Sequence, residues 1–262
     1  LKRAAVLTTL FVTSVLPVSA CSLVQKDEHL SSQRTIDDGS GAAPERQSYA
    51  TNYIWNNKVD SFDFTSPLGT LLRAYVESIH RMSMDGGRRA LFPGTDEATE
   101  FDMTPMERAA VDNPVGPSGR RGAKDLHVLA VDETDSEAEV IVCEDPSGVA
   151  EKNADGKWEA RGSEEFTRVQ ISRLVVDKVG SAPPANISGT AQTPSAPMFG
   201  DWKAIEYQHL LSQDPLEESF ISQCLSDIGK EATPREVGGY VVPEPPVEAP
   251  SPEPGWPEGE SI

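Results

Sequence analysis

Basic residues are scarce in this chain. Lys and Arg number 23 against 42 Asp and Glu, for a formal net charge of −19. A surface so acidic repels phosphate backbones, which argues against nucleic acid as a partner. It would also be pushed off an anionic leaflet unless something tethered it. Hydrophobic residues reach only 37% of the 262 positions, so part of the chain is expected to lie outside any core. The usual marks of catalysis are missing too: no Gly-rich phosphate loop followed by Lys, no nucleophile elbow, no His-Glu-x-x-His. There are three cysteines, and neither Cys143 nor Cys224 has a Cys or His at zinc-ligand spacing nearby. No cofactor, no metal and no catalytic residue is expected from the sequence.

What is present begins at the N-terminus. Leu1-Lys2-Arg3 is a short positive start, Ala4 to Val18 form an apolar run, and Ser19 and Ala20 precede Cys21. Charge, greasy core and small residues are the plan of a secretory signal, here over residues 1–20. The run is too short, and too rich in Thr and Ser, for a spanning helix of about 20 residues. Leu16-Pro17-Val18-Ser19-Ala20-Cys21 resembles the bacterial lipobox. That resemblance implies a diacylglyceryl group on the Cys21 sulfur and cleavage that leaves Cys21 as the new N-terminus. The expected product is a lipoprotein held on the extracytoplasmic face of the cell membrane. Plain secretion by cleavage at the same bond, or an uncleaved anchor, are the alternatives. Loss of residues 1–20, whose only charges are Lys2 and Arg3, takes the net charge from −19 to −21.

If Cys21 carries lipid, Cys143 and Cys224 are left as an even pair in an oxidising compartment. A disulfide between them would close a loop of roughly 80 residues, contributing about 4–5 kcal/mol in the chain-entropy picture. Two buried free thiols are the alternative.

Residues 21–50 read as the lipidated end and a flexible tether, polar and broken by Asp37-Asp38-Gly39-Ser40-Gly41 and Pro44. As a coil the tether would hold the domain on the order of 30 Å from the bilayer. Residues 231–262, rich in Pro and Glu from Pro243 to Pro257, read as a disordered acidic tail. The interval 51–230 is long enough for one α+β domain. Ser66-Pro67 caps a helix whose apolar stripe runs through Leu68, Leu71, Leu72, Tyr75, Val76, Ile79 and Met82 to Gly86-Gly87. Thr104-Pro105-Met106-Glu107 opens a short second helix reaching Ala110. From Asp125 the period becomes two. Leu126, Val128 and Ala130 share one strand face, Ala138, Val140 and Val142 the next, joined at Glu133-Thr134-Asp135-Ser136. A turn at Asn153-Ala154-Asp155-Gly156, a strand at 165–178, a loop at 180–198 and a strand at 202–211 follow. Asp214-Pro215-Leu216-Glu217 caps a final helix that ends at Gly229. Helices followed by grouped strands predict a curved antiparallel sheet with helices on one face.

This order resembles the cone-shaped fold of nuclear transport factor 2 and its relatives, in which a long first helix closes a strongly bent sheet. It also resembles uncharacterised actinobacterial lipoproteins of that type, through the strand pair Ala130-Val131-Asp132 to Val140-Ile141-Val142-Cys143-Glu144-Asp145-Pro146-Ser147-Gly148 and the turn at Asp155-Gly156. The likeness spans about residues 65–211. It implies architecture and not activity, because the fold hosts isomerases, cyclases and non-catalytic pockets alike.

An isomerase-like reaction in such a cone needs a carboxylate base and an acid donor at one point. Tyr75, Glu206, His209 and His127 are the residues to place. His80 reads as solvated at the edge of the first helix, and Arg88-Arg89 and Arg120-Arg121 read as surface arginines. The acidic run Asp132 to Glu137 lacks the spacing of a calcium loop and reads as a solvated hairpin. The leading expectation is a non-enzymatic envelope module that binds an apolar small ligand or another envelope protein. An isomerase or cyclase using the cone, and a structural spacer or assembly factor, are the alternatives.

Overall fold

A computed structural model describes residues 51–57, 59, 62–85, 87–101, 120–153, 155–160, 162–210, 215–233, 239–242 and 250–259. Cys21 with its signal and tether, and the short helix expected at 104–110, lie outside these residues. Two α-helices and ten strands are seen among them. The strands are β1 (Thr51–Asn57), β2 (Arg120–Glu133), β3 (Glu137–Asp145), β4 (Val149–Lys152) and β5 (Trp158–Ala160). They continue with β6 (Phe166–Thr167), β7 (Gln170–Asp177), β8 (Lys203–His209), β9 (Glu231–Ala232) and β10 (Tyr240–Val241). Helix α1 is Pro67–Asp85 and helix α2 is Pro215–Ile228.

Helix α1 begins where the capping pattern predicts. The Ser66 hydroxyl accepts the Gly69 N–H at 3.1 Å, and Gly87 past the other end takes a φ of 66°. Its seven stripe residues are buried, but so are Arg73, Glu77, Ser78, His80 and Arg81 on its other sides. The helix is covered all round, which its amphipathic sequence did not announce.

The main sheet runs β10-β5-β4-β2-β3-β7-β8 and is antiparallel throughout that path. One pair departs from the expected antiparallel sheet: β1 lies parallel to β2, with Thr51 opposite Gly122 and Asn57 opposite Val128. Alternating Tyr53 and Trp55 bury into the core and explain why this segment belongs to the sheet. The turns follow the sequence. Thr134 exchanges bonds with Glu137 across the β2–β3 hairpin, and the Asn153 side-chain oxygen accepts from Asp155 and Lys157 N–H groups between β4 and β5. The strand expected at 165–178 is broken into β6, which pairs with β9, and β7.

Pleating sorts the side chains of the central strands into two clusters. On one face Leu126, Val128, Ala138, Val140, Val142, Leu174, Val176, Ala204 and Tyr207 join the apolar stripe of α1. On the other, Leu129, Ile141, Cys143, Ile171 and Leu210 join Cys224, Phe220, Ile221 and Ile228 of α2. The two helices therefore pack on opposite faces, and the expectation of helices on a single face is corrected. A register shift in β2 between Val128 and Ala130 also moves Ala130 to the α2 side, away from the face it was expected to share with Leu126. A bulge changes the phase of the alternation by one residue, and nothing in the local sequence marks it.

The Cys143–Cys224 pair is at disulfide-bonding distance, with Cα atoms 6.1 Å apart and a sequence separation of 81. It joins α2 to the centre of β3.

The C-terminal stretch corrects a second expectation. Far from forming a disordered tail throughout, residues 250–259 pack on β1 and α1, and β10 extends the sheet edge beside β5. Trp256 is fully buried. Its indole N–H donates to Glu77 Oε2 at 2.8 Å, the Arg73 guanidinium lies 4.3 Å from its ring centre, and Phe92 meets it edge-on. Arg73 donates to the carbonyls of Pro254 and Ile187, while Ala191 and Trp256 exchange backbone hydrogen bonds. Proline enrichment argues against regular structure but says nothing about an extended strand docking through carbonyls and one large ring.

Candidate functional site

Where the α1 face of the sheet meets its β4 side, the apolar rows give way to charge. In β3 the row Ala138, Val140, Val142 is continued by Glu144, which is completely buried. A buried carboxylate needs donors around it, and four elements supply them. Lys124 of β2 places Nζ 2.5 Å from Glu144 Oε2. Ser172 of β7 donates its hydroxyl to Oε1, and His80 of α1 brings Nε2 to 3.2 Å of the same oxygen. His209 of β8 has Nδ1 at 2.9 Å from the Ser172 hydroxyl and 3.8 Å from Glu144. The Tyr207 hydroxyl lies 3.5 Å from both His80 Nε2 and Ser172 Oγ.

Burial alone would raise the Glu144 carboxyl, but its proximity to His80, the Lys124 ammonium and the hydrogen bonds it receives outweigh that and hold it well below the usual carboxylate range. For His80 the balance falls the other way. Burial disfavours the imidazolium more than Glu144 favours it, and the ring's pKa drops to about 4. At neutral pH the imidazole is therefore uncharged, and Lys124 is the cation that balances Glu144. A neutral His80 donates from Nε2 to Glu144, which leaves Nδ1 buried without a hydrogen-bond partner among the described residues.

The pair Lys124–Glu144 forms part of the wall of a cavity of about 80 Å³. Thr51, Pro146, Val149, Arg120, Glu151, Glu159, Arg168 and Gln170 complete the lining. Gly122, opposite Thr51 and Val149, makes this close approach possible. It takes a φ of +119°, and a Cβ there would collide with the Gly148 carbonyl oxygen. A hollow of about 230 Å³ elsewhere, between Gly94, Ala98, Pro197 and Phe199, has only Glu97 and Lys203 as charged residues. No group of three or more metal-ligating side chains occurs among the described residues.

The residues singled out from sequence are scattered. Tyr75 is in the core, its hydroxyl 3.2 Å from Thr99 Oγ1 and its ring against Tyr207 and Phe199. Glu206 faces away, bound to Arg173 at 2.5 Å together with Glu139. His127 lies on the α2 side, in register with Cys143. Only His209 joins the cluster. His80, expected to be solvated, is 3% exposed and touches Glu144, a correction that follows from α1 being covered on every side. Arg120 is a cavity residue paired with Glu151 at 2.9 Å, while Arg88 stays at the surface beside Asp96. Sequence reasoning missed Glu144, Lys124 and Ser172. One signal was there: each sits in phase with the buried row of its own strand, where a polar residue needs a reason.

No family model, curated protein or solved structure matches this chain. The site has to be read from its own chemistry. That chemistry gives a pH dependence. Because His80 binds its proton less readily folded than unfolded, stability is complete above about pH 6.5 and falls as the pH drops toward 4, the unfolded state taking up the proton first. Glu144, whose carboxyl is depressed, adds a further loss that sets in around its ordinary value of 4.5 and continues to lower pH. Urea denaturation at pH 7 and pH 4.5 is expected to differ by about 2–3 kcal/mol from His80 alone. His80→Gln should flatten that difference; an unchanged pH profile would place His80 in water.

Proposed function

We propose that the protein is a lipid-anchored lipoprotein of the cell envelope, outside the cytoplasmic membrane, whose α+β domain binds a small polar ligand without transforming it. The observation that carries the binding part is the cavity wall, with three cations and three carboxylates around about 80 Å³. These charges replace the apolar ligand expected from sequence with a polar one, since an apolar guest would leave them desolvated and unmatched. The anchor part rests on the lipobox-like Leu16 to Cys21 and on the acidic body, which has no attraction of its own for an anionic leaflet. No helix among the described residues is long and apolar enough to cross a membrane. We read α1, laid along the inner face of the sheet through its apolar stripe, as the helix that closes a cone of the nuclear transport factor 2 kind.

The convergence of Glu144, His80 and Tyr207 favours a second reading, an isomerase or cyclase. It is the weaker one. A general base works best with a pKa near the working pH, and both candidates are far below it: Glu144 is held down by its donors and His80 lies at about 4.

Intact mass of the protein extracted from membranes, beside its Cys21→Ala counterpart, tests the anchor. The native form is expected to start at Cys21 with acyl mass added and to lack two protons at Cys143 and Cys224. A chain recovered from the cytosol with residues 1–20 attached and no acyl mass would overturn it.

A further inference from the structure

The arrangement of charge around the cavity narrows the ligand further. Arg120, Glu151 and Glu159 stand in one cross-strand row over β2, β4 and β5. Lys124 follows two pleats along β2, and Arg168 lies just before β7. Glu151 and Glu159 thus stand on the β4–β5 side of the lining and the cations on or beside β2 and β7, with Glu144 of β3 between them held by Lys124. Within this wall Arg120 is matched by Glu151. Glu159 accepts a hydrogen bond from Asn153 Nδ2 at 2.7 Å and pairs with no cation among the described residues. Lys124 is 6% exposed and gives one N–H to Glu144, so its ammonium keeps two donors without a partner among the described residues. Thr51, 4% exposed, has a hydroxyl with no hydrogen-bond partner among the described residues. Buried donors are rarely left unmet unless something else meets them.

We propose that the pocket takes a small zwitterion of the α-amino acid class, its carboxylate toward Lys124 and Thr51 and its ammonium toward Glu159. This rests on the binding function proposed above and names the ligand for that same site. A lone anion meets the repulsion of Glu144, Glu151 and Glu159, and a lone cation that of Arg120, Lys124 and Arg168, whereas a molecule bearing both charges is complementary to both sides. A cavity of about 80 Å³ suits a guest with a small side chain.

Calorimetric titration of the folded chain from residue 21 onward with L-alanine, acetate, methylammonium and toluene tests the proposal. L-Alanine is expected to bind one-to-one, with acetate and methylammonium each at least ~10-fold weaker, about 1.4 kcal/mol. Glu159→Gln, with unchanged circular dichroism, should weaken L-alanine by a similar factor while acetate, relieved of the Glu159 charge, binds no more weakly than before. Acetate or methylammonium binding as tightly as L-alanine would overturn the zwitterion and leave a simple ion-binding module, and toluene binding alone would leave an apolar one. Binding of none of the four would overturn both the ligand class and the binding function.

Discussion

Trp256→Ala is expected to lower the unfolding free energy by about 3–5 kcal/mol, the range for removing a buried aromatic ring. The size follows from what the ring touches. It is fully buried against Phe92 and under the Arg73 guanidinium, and its N–H supplies one of the two indole hydrogen bonds to Glu77; Trp55 supplies the other at 2.8 Å. Burial pushes the Glu77 carboxyl up, while Arg73 and the two indoles pull it back down. Removing the ring therefore opens a cavity and also takes a donor from a buried acid. Chemical denaturation of the variant measures the loss. Trp256→Phe, which keeps most of the volume but not the N–H, should lose less. A change below about 1 kcal/mol for Trp256→Ala would mean that the C-terminal segment does not dock.

Removal of the Cys143–Cys224 bridge comes next in size. The two residues stand 81 apart in sequence and both are completely buried. Constraint of so long a loop in the unfolded chain corresponds to about 4–5 kcal/mol. The Cys143→Ser, Cys224→Ser double variant should lose stability of that order. Loss of protection should concentrate in α2, because Phe220, Ile221 and Ile228 are its other anchors to the sheet. Hydrogen exchange resolves this: fast exchange in 215–228 with β3 and β7 still protected is the expected pattern. Equal stability with and without the bridge would show that α2 is held by apolar contact alone.

The sequence carried more of the fold than of the site. Helix α1, the β2–β3 hairpin, the Asn153–Gly156 turn, β8 and α2 were legible because periodicity, caps and turn residues are local signals. What was lost depended on distant partners. The parallel docking of β1, the Val128/Ala130 register shift and the seating of Trp256 each require a surface supplied from elsewhere in the chain. The same applies to charge. Arg73, Glu77 and Arg81 at four-residue spacing look like a solvated helix face, and become buried only because the 187–192 loop and residues 254–256 lie over them. Glu144 followed three apolar in-phase residues. Read as a buried carboxylate, it would have directed attention to the Lys and Ser that answer it.

Glu144 is held as an ionised carboxylate by the donors around it beside the cavity, and is not a base waiting for a proton. Carbon-13 NMR of its side-chain carboxyl, followed from pH 8 to pH 5, measures this directly. The expected result is a resonance that stays at its ionised position over the whole range, at whose lower end an ordinary carboxyl near 4.5 is already about a quarter protonated. A proton taken up by Glu144 above pH 5 would contradict the account and turn the cavity into a candidate catalytic centre.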